Sequence, residues 1–198
     1  MIRIPEKFTE LESGFSSVSI FEPRVFSDTR GFFLESFHEE CMRTLGIIGP
    51  FVQDNHSCSA KGVLRGLHYQ SRYPQGKLVR VIRGRVFDVA VDIRKGSSTY
   101  GKWTSTVLSA QNFRMLWVPV GFAHGFIALE DYSEVLYKTT DYYHPEWDAG
   151  IRWDDPGLAI PWPCAEYGIK KPIVSDKDAI LPFMKDIDSP FVYLEESQ

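Results

Sequence analysis

Cysteine is scarce in this sequence, and its spacing excludes more than its number does. Cys41, Cys58 and Cys164 are odd in count and far apart, with no C-x-x-C pair. Neither a redox pair nor a zinc site is built that way, so reduced thiols in a cytoplasmic protein are expected. Long apolar runs are missing too: nothing approaches the about 20 residues that span a bilayer. The opening MIRIPEKFTELESG lacks the apolar core of a secretory signal. Charge of one sign is not in excess. Lys and Arg number 22 against 26 Asp and Glu, a net charge of −4, which leaves no general surplus for nucleic acid. No Walker-type loop or G-x-G-x-x-G is found, which removes nucleoside triphosphate chemistry and a nicotinamide fold. A soluble protein with no membrane or nucleic-acid partner is the expectation.

What is present is apolar and strand-like. With 43% apolar and 14% aromatic residues, the 198-residue chain can bury a large core, and residues 1–198 read as one domain. Helical periodicity is confined to a short stretch, about Glu39 to Leu45. Elsewhere β-branched runs alternate between turn residues, with strands expected at Ser17 to Phe21, Gly62 to Gln70, Trp103 to Leu108, Met115 to Val118, Gly125 to Leu129 and Glu134 to Tyr142. KLVRVIRGRVFDVAVDIRKG is the clearest case. Phe87, Val89, Val91 and Ile93 share one face of its second half; Val86, Asp88, Ala90 and Asp92 share the other. A solvent face would carry more than two small acids, so this one reads as turned into a barrel with a partly polar lumen. Many short strands with frequent turns predict an all-β sandwich or jelly-roll barrel with few short helices. From about Asp154, Pro and polar residues predict a C-terminal segment of loops wrapping that barrel.

Several residues could carry chemistry. His68, in LRGLHYQ, is open to three readings: a packed histidine, a metal ligand or a base. Jelly-roll metal sites commonly offer two histidines at alternate positions with a carboxylate nearby. Neither His68 nor His124, in VPVGFAHGF, has such a companion, so no metal is expected. Lys77 is either a solvent-facing strand start or a cation for an oxygen that gains charge. Arg65 lies three residues before His68, which in a regular strand sends the two to opposite faces; they share a cavity only if the chain bends or bulges at Gly66. Tyr137 is a core tyrosine or a proton donor. Tyr142 and Tyr143, at the end of its strand, offer faces for stacking on a planar ring, and Arg30, in SDTRG, sits in a loop suited to phosphate.

Taken in order, the segments DTRGFFLESF, FVQDNHS, GVLRGLHYQ, PQGKLVRVIRGRVFDVAVDIRKGSSTYGKW, VPVGFAHGF, LYKTTDYYHPEWDAGIRWDDP and VSDKDA resemble the dTDP-4-dehydrorhamnose 3,5-epimerase family. The resemblance runs from about Ser17 to Asp178. It implies a cupin-type jelly-roll, no cofactor, a homodimer and a dTDP-4-keto-6-deoxyhexose substrate. By the same resemblance His68 is the base, Asp178 its paired acid, Tyr137 the proton donor, and Lys77 the cation beside the keto oxygen. Arg65 and His124 match sugar and diphosphate contacts. Arg30, Glu35, Gln53, Asp54, Asn55, Asp148 and Lys177 align with further binding positions, and Tyr143 with the tyrosine that stacks on thymine. Asp148 departs from members that carry Glu there. A swapped N-terminal strand is one arrangement that would carry Arg30 into a partner's site. The implied reaction is inversion at C3 and C5. Other readings are inversion at one centre only, 3,4-ketoisomerisation, a metal-dependent cupin oxygenase, and a sugar-nucleotide-binding cupin without catalysis; the pairing of motifs favours the epimerases.

Overall fold

The alternation read from the sequence resolves into two antiparallel sheets laid face to face. The computed structural model describes residues 7–15 and 17–194. In its first half lie β1 (Phe8–Leu11), β2 (Ser19–Pro23), β3 (Val25–Asp28), β4 (Gly31–Leu34), helix α1 (Glu39–Thr44), β5 (Gln53–Ser59) and β6 (Leu64–Gln70). Then come β7 (Lys77–Arg83), β8 (Arg85–Asp92), β9 (Trp103–Ser109), β10 (Met115–Val118), β11 (Phe122–Ala128), β12 (Ser133–Thr139), β13 (Asp148–Gly150) and helix α2 (Asp176–Ala179). One sheet runs β1-β2-β10-β7-β12-β5 and the other β13-β6-β11-β8-β9, while β3 and β4 pair only with each other. This is the expected all-β jelly-roll.

β7 and β8 are separated by Gly84 alone, yet they belong to different sheets. The chain changes sheet at that glycine, whose φ of 71° few other residues adopt. The split explains the pattern of β8. Val86 and Ala90 face the space between the sheets with Val79, Val81, Leu116 and Val135. Val89, Val91 and Ile93 face outward, where Leu158 and Ile160 of the C-terminal segment cover them. Both faces of the strand are therefore dry, and each of these valine, leucine and isoleucine side chains contributes about 1.5–3 kcal/mol by leaving water. The wrapping segment expected after Asp154 is this outer cover.

Several local readings differ from the structure. The strand expected from Gly125 begins at Phe122, the one expected from Gly62 begins at Leu64, and β1, β3, β5 and β13 were not expected. The first core strand begins at Ser19, two residues later than expected, and continues to Pro23. β12 ends at Thr139, so Tyr142 and Tyr143 lie in a loop and not at a strand end. The cause is local: the Thr139 hydroxyl donates to the Asp141 carbonyl at 2.8 Å and turns the chain out of the sheet. Helix α2 was not foreseen, because its four residues are too few to display a period.

Candidate active site

β6 and β11 carry the first half of the site. His68 stands directly opposite His124, and Arg65 opposite Phe126, so Gly66 and Leu67 together face Gly125 alone. That extra residue is a bulge, and it turns Arg65 onto the same face as His68. Only glycine fits. Gly66 has a φ of 126°, and a Cβ there would lie 2.5 Å from the Gly125 Cα and 2.8 Å from the His124 carbonyl oxygen. Arg65 and His68 both line one cavity of about 480 Å³; of the bend or bulge that the sequence allowed at Gly66, the structure has the bulge.

α2 brings the partner of His68. Ser175 caps the helix by accepting from the Asp178 N–H, and this places the Asp178 carboxylate beneath the strand. Its Oδ1 is 2.7 Å from His68 Nε2, and its Oδ2 accepts from the Gly66 N–H at 3.3 Å. Burial opposes the charge on Asp178, but the bonds from His68, Gly66 and Ser175 outweigh it and hold the carboxyl below the usual range. With Nε2 committed to Asp178, His68 keeps Nδ1 as its free nitrogen.

The opposite sheet supplies the rest. Lys77 opens β7 and Tyr137 stands mid-way along β12, two residues along that strand from the partner of Lys77. Burial pushes the Lys77 ammonium down to about 8, against the pull of Asp148 and Asp88. Burial pushes the Tyr137 phenol up, with Arg65 working against the shift and Asp148 with it. The phenol therefore holds its proton at neutral pH. A second lobe of about 380 Å³ shares His68, Lys77, Tyr137 and Lys177 with the first, and adds Gln53, Asn55, Tyr143 and Asp148. There Tyr143 Oη donates to Asp148 Oδ2 at 3.0 Å, and Lys177 bonds the same oxygen. Gln53 Nε2 donates to Asn55 Oδ1 at 2.9 Å and its Oε1 accepts from the Tyr143 N–H. A base with its acid, a half-buried cation and a protonated phenol thus line one cleft from two walls.

Both the sequence and the fold are matched by known proteins. Residues 12–186 fit the family model described as dTDP-4-dehydrorhamnose 3,5-epimerase. The chain belongs to the dTDP-4-dehydrorhamnose 3,5-epimerase family. It is 56% identical over 162 residues to the dTDP-4-dehydrorhamnose 3,5-epimerase of Pseudomonas aeruginosa, covering 81% of this chain and 87% of that one. The enzyme of the same name from Methanothermobacter thermautotrophicus is 52% identical over 87% of this chain and 92% of its own. Among solved structures, dTDP-6-deoxy-D-glucose-3,5-epimerase from Legionella pneumophila, in complex with dTDP-4-keto-L-rhamnose, superposes with a TM-score of 0.90. The two chains are 46% identical, over 96% of this chain and 100% of that one.

Of the fourteen residues that the resemblance assigns to the site, eleven line the cleft and three do not, and Tyr142, also offered for stacking, lies outside it. Arg30 is in the β3–β4 turn with its side chain 88% exposed, held by Asp28. Glu35 pairs with Lys7 at 2.8 Å. Asp54 alternates away from Gln53 and Asn55 to pair with Lys138 on the outer face of the sheet. One residue was missed. Asp88 is fully buried, with Oδ1 2.7 Å from His124 Nε2 and Oδ2 without a hydrogen-bond partner. Its place on the lumen face of β8 was the available signal. Among the described residues, no three His, Cys, Asp or Glu side chains gather as a metal would require, and no helix is long and apolar enough to cross a membrane.

Proposed function

We propose that this chain inverts C3 and C5 of dTDP-4-dehydro-6-deoxy-D-glucose to give dTDP-4-dehydro-L-rhamnose. The observation that carries the reading is that His68 and Tyr137 enter one cavity from opposite sheets. Inversion needs a base on one face of the sugar ring and an acid on the other.

The hydrogens on C3 and C5 are acidic because the C4 ketone delocalises the carbanion onto O4. His68 Nδ1 takes the proton, while Asp178 fixes the ring tautomer and stabilises the imidazolium that forms. Lys77, a cation at neutral pH, stabilises the enolate oxygen. Tyr137 delivers a proton to the opposite face. Its phenolate is stabilised by Arg65, the charge that works to lower its pKa. The same groups serve C5 after the ring turns. Arg65 and Lys177 supply cations for the diphosphate, and Tyr143 supplies an aromatic face for thymine.

The reading includes a cytoplasmic homodimer, with the chain acting as one domain. Three unpaired cysteines suit a reducing compartment. The β3–β4 hairpin joins neither large sheet of its own chain and exposes Phe26, Phe32 and Phe33 at 51%, 61% and 65%. Exposed aromatic clusters mark contact surfaces, and such a contact would carry Arg30 and Glu35 toward a second copy's cleft.

The test is incubation with the 4-keto-6-deoxyglucose nucleotide in deuterium oxide, with exchange read at each carbon by NMR. Deuterium at both C3 and C5 of an inverted product is expected. Label at one carbon only identifies a single-centre epimerase, and tight binding without label identifies a binding protein.

A further inference from the structure

Two loops frame the outer end of the cleft, residues 71–76 between β6 and β7 and residues 140–147 after β12. One buried side chain ties them together. Gln70, the last residue of β6, is 4% exposed. Its Nε2 donates to the Tyr73 carbonyl at 2.6 Å and the Tyr142 carbonyl at 3.1 Å, and its Oε1 accepts from the His144 N–H at 2.5 Å. Both amide protons and the amide oxygen are thereby used. Tyr143 sits between two of these anchors, and its own N–H is held by Gln53 at 2.9 Å. Its ring stays about half exposed at the cleft, with the hydroxyl on Asp148.

We infer that Gln70 is a positioning residue for the nucleotide end of the substrate: it fixes the 142–144 backbone so that Tyr143 presents its ring to the base. The inference deepens the reading above, in which Tyr143 stacks on thymine, and rests on it. No other side chain of this size serves. Leucine leaves two carbonyls and one N–H without the partner they have now. Glutamate keeps the acceptor for His144 but turns a carboxylate toward two carbonyl oxygens. Holding the aromatic in place before the ligand arrives removes an ordering cost from binding, so the effect falls on affinity.

The probe is dTDP, which carries thymine and diphosphate but no hexose, measured by titration calorimetry beside kcat and KM for the sugar nucleotide. Gln70→Leu is expected to raise Kd for dTDP about tenfold and KM in parallel, with a much smaller fall in kcat. In a Tyr143→Ala background the same change adds less than about twofold, because the interaction it supports is already gone. Gln70→Glu, which keeps the side chain's volume, weakens dTDP binding relative to the unmodified protein at neutral pH. It recovers as pH falls, because protonation restores a donor; the leucine variant does not recover. A Gln70→Leu affinity within about twofold of the unmodified protein overturns the role, as does an undiminished loss in the Tyr143→Ala background. Normal dTDP binding by Tyr143→Ala alone instead overturns the thymine reading, and the role of Gln70 with it.

Discussion

Replacing Asp178 by Asn changes one oxygen to an amide nitrogen and tests the whole assignment of the base. Asp178 spends both oxygens, one on His68 Nε2 and one on the Gly66 N–H. Asparagine has one. If its oxygen stays on Gly66, its NH₂ faces Nε2, which must then give up its proton. The ring proton moves to Nδ1, and the base is blocked. The other orientation keeps the working tautomer but sets an NH₂ against the Gly66 N–H. A buried donor left unpaired costs about 1–3 kcal/mol, so the blocked form is favoured about 5- to 150-fold. Loss of the charge behind the imidazolium adds to this; in a serine-protease triad the corresponding change lowers kcat about 10⁴-fold. A fall of about 10²–10⁴ in the rate of deuterium exchange at C3 is expected here, read by NMR at saturating substrate. Asp178→Ala removes the acceptor without imposing a tautomer, so it should lose less. An asparagine variant as active as the alanine variant would refute the reasoning.

Four further outcomes follow from the geometry. Lys77→Met should lower kcat about 10²–10³-fold. Burial depresses the lysine, so its cation is present below about 8 and lost above, and kcat/KM should fall as pH rises through that value; the methionine variant should lack this limb. Asp88→Asn removes a charge that pulls the Lys77 value up, so the same limb should move to lower pH; an unmoved limb would separate Asp88 from the lysine. Gly66→Ala combines a backbone that disfavours L-residues with a 2.5 Å clash, and should cost about 2–5 kcal/mol, read as a lower Tm, and displace Arg65 from His68. Phe32→Ser with Phe33→Ser should convert a dimer to a folded monomer in sedimentation velocity, with activity falling as the dimer is lost.

The parts of the fold legible in advance were those whose signal is local. The β8 alternation follows from a strand that packs on both faces, and the short helix near Glu39 was placed to within one residue. What failed was set by single hydrogen bonds that leave no periodic signal or by elements too short to show a pattern. The end of β12 depends on one hydroxyl–carbonyl bond at Thr139. Residue-type logic identified His68, Lys77 and Tyr137 as groups able to do proton chemistry but left each with a structural alternative. The family resemblance ranked those alternatives.

By itself the sequence determined the family, the antiparallel class and the chemical character of the site, since contiguous motifs and residue types carry all three. It also posed the condition that Arg65 and His68 share a cavity only through a bend or bulge at Gly66. The tertiary structure decided whether that condition is met, through a one-residue offset between β6 and β11. It formed the Asp178–His68 pair, which the sequence offered only through the family resemblance, across 110 residues, and it alone set Asp88 behind His124. It alone put Arg30 outside its own chain's cleft. The physical reason is that hydrogen bonds between distant elements depend on strand register, and register emerges only when the two sheets close on their shared core.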